Sequence, residues 1–121
     1  MLRVLIIDDS PTEVYKLTTI LEKSGYSVEV ADTGEKGLEM AKKNPPSLIL
    51  MDVVMPGLNG FQATRQLNRA PETAGVPVII VSTKDQATDK IWGMRQGASA
   101  YLVKPIVESE LLKAIKEATS A

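Results

Sequence analysis

Short, continuous apolar runs alternate along this chain with longer stretches in which apolar residues recur every three or four positions. Residues 2–7 read as a buried strand, and residues 27–31 as a shorter one whose alternation suits a sheet edge. Residues 47–51, 77–81 and 100–103 predict three more. Continuous apolar runs of this length fit a parallel sheet covered on both faces. Between them lie helix signals. Ser10-Pro11-Thr12-Glu13 has the form of a capping box with proline at the first helical position. The helix it starts carries Val14, Leu17, Ile20 and Leu21 on one face and stops near Ser24 and Gly25. A second helix follows Asp32-Thr33-Gly34-Glu35, with Leu38 and Ala41 inward, and ends before Pro45 and Pro46. A third starts near Gly60 and Phe61 and runs to about Asn68. A fourth spans residues 87–96, stops at Gly97, and is expected to turn Ala87, Ile91 and Met94 inward. The last starts near Val107, with Leu111, Leu112, Ile115 and Ala118 inward. Five strands alternating with five helices predict an α/β fold of βαβ units with right-handed crossovers.

The length of 121 residues fits a single domain over 1–121, without room for a second, output domain. A formal net charge of -1 gives no overall field for nucleic acid or an acidic membrane surface, and neither is expected as a partner. The chain contains Cys 0 and His 0, which removes thiolate chemistry, Cys and His metal ligands, histidine bases and phosphohistidine. Any chemistry must use carboxylates, hydroxyls, lysine and backbone. No apolar run approaches the roughly 18 residues of a membrane helix, and the N-terminus turns acidic too soon for a signal peptide. The expected location is the cytoplasm.

The polar residues that follow the predicted strands narrow the chemistry. Asp8 and Asp9 follow the first, Asp52 the third, Ser82 and Thr83 the fourth, and Lys104 and Pro105 the fifth. In an open parallel α/β sheet these ends share one rim, where ligands bind. Three carboxylates at one rim repel one another unless one protonates or a cation joins them. Oxygen donors alone favour a hard ion, Mg²⁺ best, with Mn²⁺ able to substitute. Lys104 completes formal neutrality, and Ser82 adds a hydroxyl donor, so the rim can accept phosphoryl oxygens. Asp52, read as exposed on a turn, then becomes a candidate carboxylate nucleophile. Each residue alone has an ordinary role: Asp8 and Asp9 as turn residues, Lys104-Pro105 as a strand stop, Ser82-Thr83 as a helix cap with Gln86. Their joint placement points to phosphoryl transfer.

The stretches IIDDSP at 6–11, LMDVVMPGLNG at 50–60, VSTK at 81–84 and KP at 104–105 resemble the receiver domain of two-component response regulators, over the whole chain. The resemblance implies a flavodoxin-like (CheY-like) three-layer αβα fold with strand order 2-1-3-4-5. It implies Asp52 as phosphoacceptor, Asp9 as direct Mg²⁺ ligand, Asp8 as the second acid and the Val54 backbone carbonyl as a further ligand. Lys104 would pair with the phosphoryl group, aimed by a cis Lys104–Pro105 bond. Ser82 and Tyr101 would be the switch pair. Val54 is apolar where some members carry Asn, and Thr83 is bulkier than the Ala or Gly often found there. Both bear on phosphoryl lifetime.

DDSPTEVYKL at 8–17, MPGLNGFQATRQL at 55–67 and STKDQATDKIWGMRQGA at 82–98 are similar to the stand-alone receivers of twitching motility in chemotaxis-like pilus systems. That implies a CheA-like histidine kinase, or its phosphotransfer domain, as donor. It also implies a monomer signalling to a downstream target protein through a surface around Tyr101 and Trp92. Trp92 reads equally as a half-buried packing residue. Gly93 beside it costs roughly 1 kcal/mol of helix propensity relative to Ala, and local mobility of this helix is expected. A phosphate sink for a shared kinase has the same chemistry, as does another chemotaxis or phototaxis regulator. A haloacid-dehalogenase-type phosphatase needs a second acid where Val54 stands. A flavodoxin-like redox module needs a phosphate-cradling loop where Asp8 and Asp9 would repel it.

Overall fold

Strand β1 (Arg3–Ile7) lies second from the edge of a five-stranded sheet in the computed structural model, which describes residues 2–120. The others are β2 (Ser27–Ala31), β3 (Leu48–Met51), β4 (Val78–Ser82) and β5 (Ala100–Val103), all parallel in the order β2-β1-β3-β4-β5. The helices are α1 (Pro11–Lys23), α2 (Gly34–Lys43), α3 (Gly60–Arg69), α4 (Ala87–Arg95) and α5 (Glu108–Thr119).

The two-residue period of the strands builds two cores. Leu5, Ile7, Ile49, Met51 and Ile80 face Leu38 and Ala41 of α2 and Ala63 and Leu67 of α3. Val4, Ile6, Leu48, Leu50 and Ile79 face Leu17 and Leu21 of α1 and Leu111 and Ile115 of α5. Both faces of the central strands are therefore buried, which is why they read as unbroken apolar runs. β2 is an edge strand, as its alternation predicts, with Glu29 and Val30 exposed.

Local chemistry sets the helix starts. Thr33 caps α2 by accepting from Lys36 N–H at 3.0 Å. Asn59 and Gln62 form a reciprocal capping box on α3, each bond 3.0 Å. At α1 only half of the expected box forms. The Ser10 hydroxyl accepts from Glu13 N–H at 3.4 Å, but the Ser10 N–H goes to Asp8 Oδ1 at 2.9 Å. Glu13 Oε2 is left buried with no partner among the described residues.

The inward face expected for α4 is not the one observed. Ala87, Ile91 and Met94 are exposed, Ile91 at 54%. Within α4 the buried residue is Gly93. A β-carbon there would stand 2.9 Å from both Ile80 Cδ1 and Tyr101 Cδ2. The helix meets the sheet through the absence of a side chain, so its contact face has no hydrophobic signature.

Candidate functional site

The parallel register puts the polar residues at one rim. Ile7 pairs with Met51, and Met51 with Ile80, so Asp8 and Asp52 leave adjacent strands side by side. The ladder continues through them: Asp8 N–H donates to Ala31 O at 3.1 Å, and Asp52 N–H to Ile7 O at 2.9 Å. Asp8, Asp9 and Asp52 each present a carboxylate oxygen within 4.8 Å of the other two. Asp8 is buried and Asp9 exposed.

Asp52 is 7% exposed, which corrects its reading as an exposed turn residue. The turn is present, but its chain folds back: Gly60 N–H donates to Val53 O at 3.0 Å. A β-carbon on Gly60 would collide with the Asp52 carbonyl oxygen. Lys104 covers the carboxylate from the other side. Its Nζ lies 3.1 Å from Asp8 Oδ2 and 3.4 Å from Asp52 Oδ1. The Lys104–Pro105 peptide is cis, and Lys104 N–H donates to Ser82 O at 2.9 Å.

Charge and burial oppose one another here. Burial, then the neighbouring Asp8 charge, pushes the Asp52 carboxyl up to about 6, and Lys104 only partly offsets them. Burial also works against the Lys104 ammonium, but its bond to Asp8 and the field of Asp52 outweigh that and raise its pKa. One lysine is not enough cation for this rim. The donors are carboxylate and backbone oxygens, without nitrogen or sulfur ligands, which suits Mg²⁺.

Ser82 and Tyr101 hold the two peptide groups that flank Lys84 in the β4–α4 loop. Ser82 is fully buried, and its Oγ accepts from Lys84 N–H at 3.1 Å. The Tyr101 hydroxyl donates to Lys84 O at 2.7 Å. Its ring packs against the α2–α3 core, and burial raises the phenol pKa against the opposing effect of the Ser82 hydroxyl. Val54 and Thr83 are both exposed at the mouth of the rim. Trp92 is 48% exposed and shares a groove with Val54 and Lys84.

Three contributors were not singled out as site residues in the sequence. Glu35 accepts from Leu58 N–H at 3.2 Å and so ties α2 to the loop after Asp52. Gly57 in that loop has φ 74° and passes close to the Glu35 carboxylate. Glu13 lies near enough to Lys104 to help hold its proton. The glycines at 57 and 60 were the available hint, because two glycines so soon after a strand signal close backbone approach.

Residues 4–116 match the model of the response regulator receiver domain. The chain is 61% identical over 115 residues to protein PilH of Pseudomonas aeruginosa, covering 95% of each. It superposes on Vibrio cholerae chemotaxis protein CheY4 with TM-score 0.90 at 30% identity, covering 98% of both chains. It also superposes on the receiver domain of a Pseudomonas aeruginosa sensor histidine kinase, solved with a magnesium ion coordinated in the active site cleft. There the TM-score is 0.92 at 25% identity, over 99% of this chain and 98% of that one.

Proposed function

Because the chain belongs to the response regulator receiver domain family, we propose that it is a stand-alone phosphoacceptor, a signalling protein rather than an enzyme. A cytoplasmic CheA-like histidine kinase, or its phosphotransfer domain, would supply the phosphoryl group to Asp52. The output would be a protein contact controlling type IV pilus twitching motility or a related taxis. The similarity to PilH supports the motility branch. Among the described residues no helix is long and apolar enough to cross a membrane.

The observation that carries the reading is the covered carboxylate. Asp52 lies beside Asp8 and Asp9 and beneath Lys104, at the shared rim of a parallel sheet. In the reaction an Asp52 Oδ attacks phosphorus, the bond from phosphorus to the donor's histidine nitrogen breaks, and the leaving imidazole takes a proton. Asp8, Asp9, Asp52 and the Val54 carbonyl would hold Mg²⁺, which supplies neutralising charge for the phosphoryl oxygens when bound. Lys104 exchanges its bond to the Asp52 carboxylate for one to the arriving phosphoryl oxygens. Ser82 leaves the Lys84 N–H for a phosphoryl oxygen, which frees the loop that Tyr101 also holds and biases a two-state equilibrium. Val54 and Thr83 flank the approach of water and set the phosphoryl lifetime.

Acetyl phosphate with Mg²⁺, read by intact mass, tests the proposal. A single phosphoryl adduct that requires Mg²⁺ and is absent from Asp52→Asn is expected. An adduct that persists in that variant would move the acceptor elsewhere and end the proposal.

A further inference from the structure

Between α3 and α4 runs a groove that the phosphoryl chemistry does not use. At the rim it starts against Val54, Met55 and Lys84, and it passes between Phe61 and Trp92. It ends among Arg65, Arg69 and Arg95. The groove follows from how the two helices are held. α4 approaches the sheet at Gly93, and Gly97, at φ 104°, turns against the Asn68 side chain. Between these points the floor falls to Gln96. Gln96 is 9% exposed.

The charge around it is one-sided. α3 contains Arg65 and Arg69 and no acidic residue. The acid of α4, Asp89, sits at its N-terminal end and accepts from Gln86 N–H. None of the three arginines pairs with a carboxylate among the described residues. Arg69 and Arg95 lie in last turns, where the helix dipole favours cations. Arg65 is a full turn earlier, beyond the reach of that effect. On a chain of net charge -1, a cationic groove with a Trp–Phe mouth is a local feature rather than a general tendency.

We propose that this groove docks an acidic, partly apolar segment of a partner protein. Its carboxylates would be held by the guanidinium groups of Arg65, Arg69 and Arg95 and by the Gln96 amide. An apolar side chain would lie between Phe61 and Trp92. Guanidinium forks match carboxylates in geometry, and Trp and Arg dominate the energetics of such contacts. Docking does not depend on Asp52 chemistry, so it is measured on unphosphorylated protein without Mg²⁺.

Trp92 is the single tryptophan and reports directly on the mouth. The probe is a fluorescein-labelled peptide alternating Glu with Leu, followed by anisotropy and by Trp92 emission; the same peptide with Lys for Glu is the control. The glutamate peptide is expected to bind, to shift Trp92 emission, and to weaken as salt is raised. The double variant Arg65→Glu, Arg95→Glu should bind about tenfold more weakly or worse. Asp52 labelling by acetyl phosphate reports that the variant is folded. Absence of binding, equal binding of the lysine peptide, or indifference to charge reversal would overturn the proposal. Two further outcomes would do the same: a Trp92 response to tripolyphosphate without one to the peptide, marking a small-anion site, or self-association that shifts Trp92 alone, marking a second copy.

Discussion

Asp52 should cost the metal-free protein stability, and Asp52→Asn should recover it. Burial and Asp8 raise its folded-state pKa from 3.8 to about 6. Each unit corresponds to about 1.4 kcal/mol, so ionising Asp52 in the folded, metal-free state costs about 3 kcal/mol at pH 7. The sign follows from proton counting. Between pH 3.8 and 6 the folded state binds the proton and the unfolded state has lost it. Stability therefore falls as pH rises through that window, and the whole penalty is present above it. Asparagine keeps the shape and an oxygen for Lys104 but has no charge to desolvate. Urea unfolding in EDTA should find Asp52→Asn more stable than the parent by about 1–3 kcal/mol at pH 7.5, with the gap closing near pH 4. Mg²⁺ should reverse the order by stabilising the parent selectively, by about 2.7 kcal/mol at a hundredfold excess over Kd. A variant less stable than the parent in EDTA at pH 7.5, or a gap independent of pH, would refute the account of repulsion and burial at this rim.

Lys104→Met removes the cation that Asp8 and Asp52 share and leaves two buried carboxylates facing each other. A loss of about 3 kcal/mol in metal-free urea unfolding at pH 7 is expected, partly restored by Mg²⁺. Gly60→Ala places a β-carbon on the Asp52 carbonyl oxygen. The loop must shift, lowering stability by about 3 kcal/mol on thermal unfolding and slowing acetyl phosphate labelling. Tyr101→Phe removes the donor to Lys84 O. It should cost about 1 kcal/mol and speed amide exchange in the β4–α4 loop, with Asp52 still labelled.

Much of this molecule is written locally. The caps at Ser10, Thr33 and Asn59, the two-residue period of the strands and the three-to-four period of α1, α2 and α5 depend on neighbours in sequence, so the elements could be read directly. The strand ends were legible for the same reason: a polar residue closing an apolar run must lie at a rim. α4 was not legible, because its contact with the sheet is made by Gly93. Half of the α1 box failed because Asp8, brought close by the strand end, competes for the Ser10 N–H. The strand order entered through resemblance, since nothing local says which strands will pair.

The sequence by itself determined the α/β class, the helix and strand boundaries to within a residue or two, and the set Asp8, Asp9, Asp52, Ser82 and Lys104 at one rim. Only the tertiary structure decided that Asp52 is buried, that Lys104 bridges it to Asp8, and that Ser82 and Tyr101 both hold the backbone of Lys84. It also decided that α3 and α4 part over Gln96. The physical reason is range. Capping and periodicity act over three or four residues, whereas burial, charge coupling and grooves arise between residues tens of positions apart, and their magnitudes exist only once the sheet has set their distances.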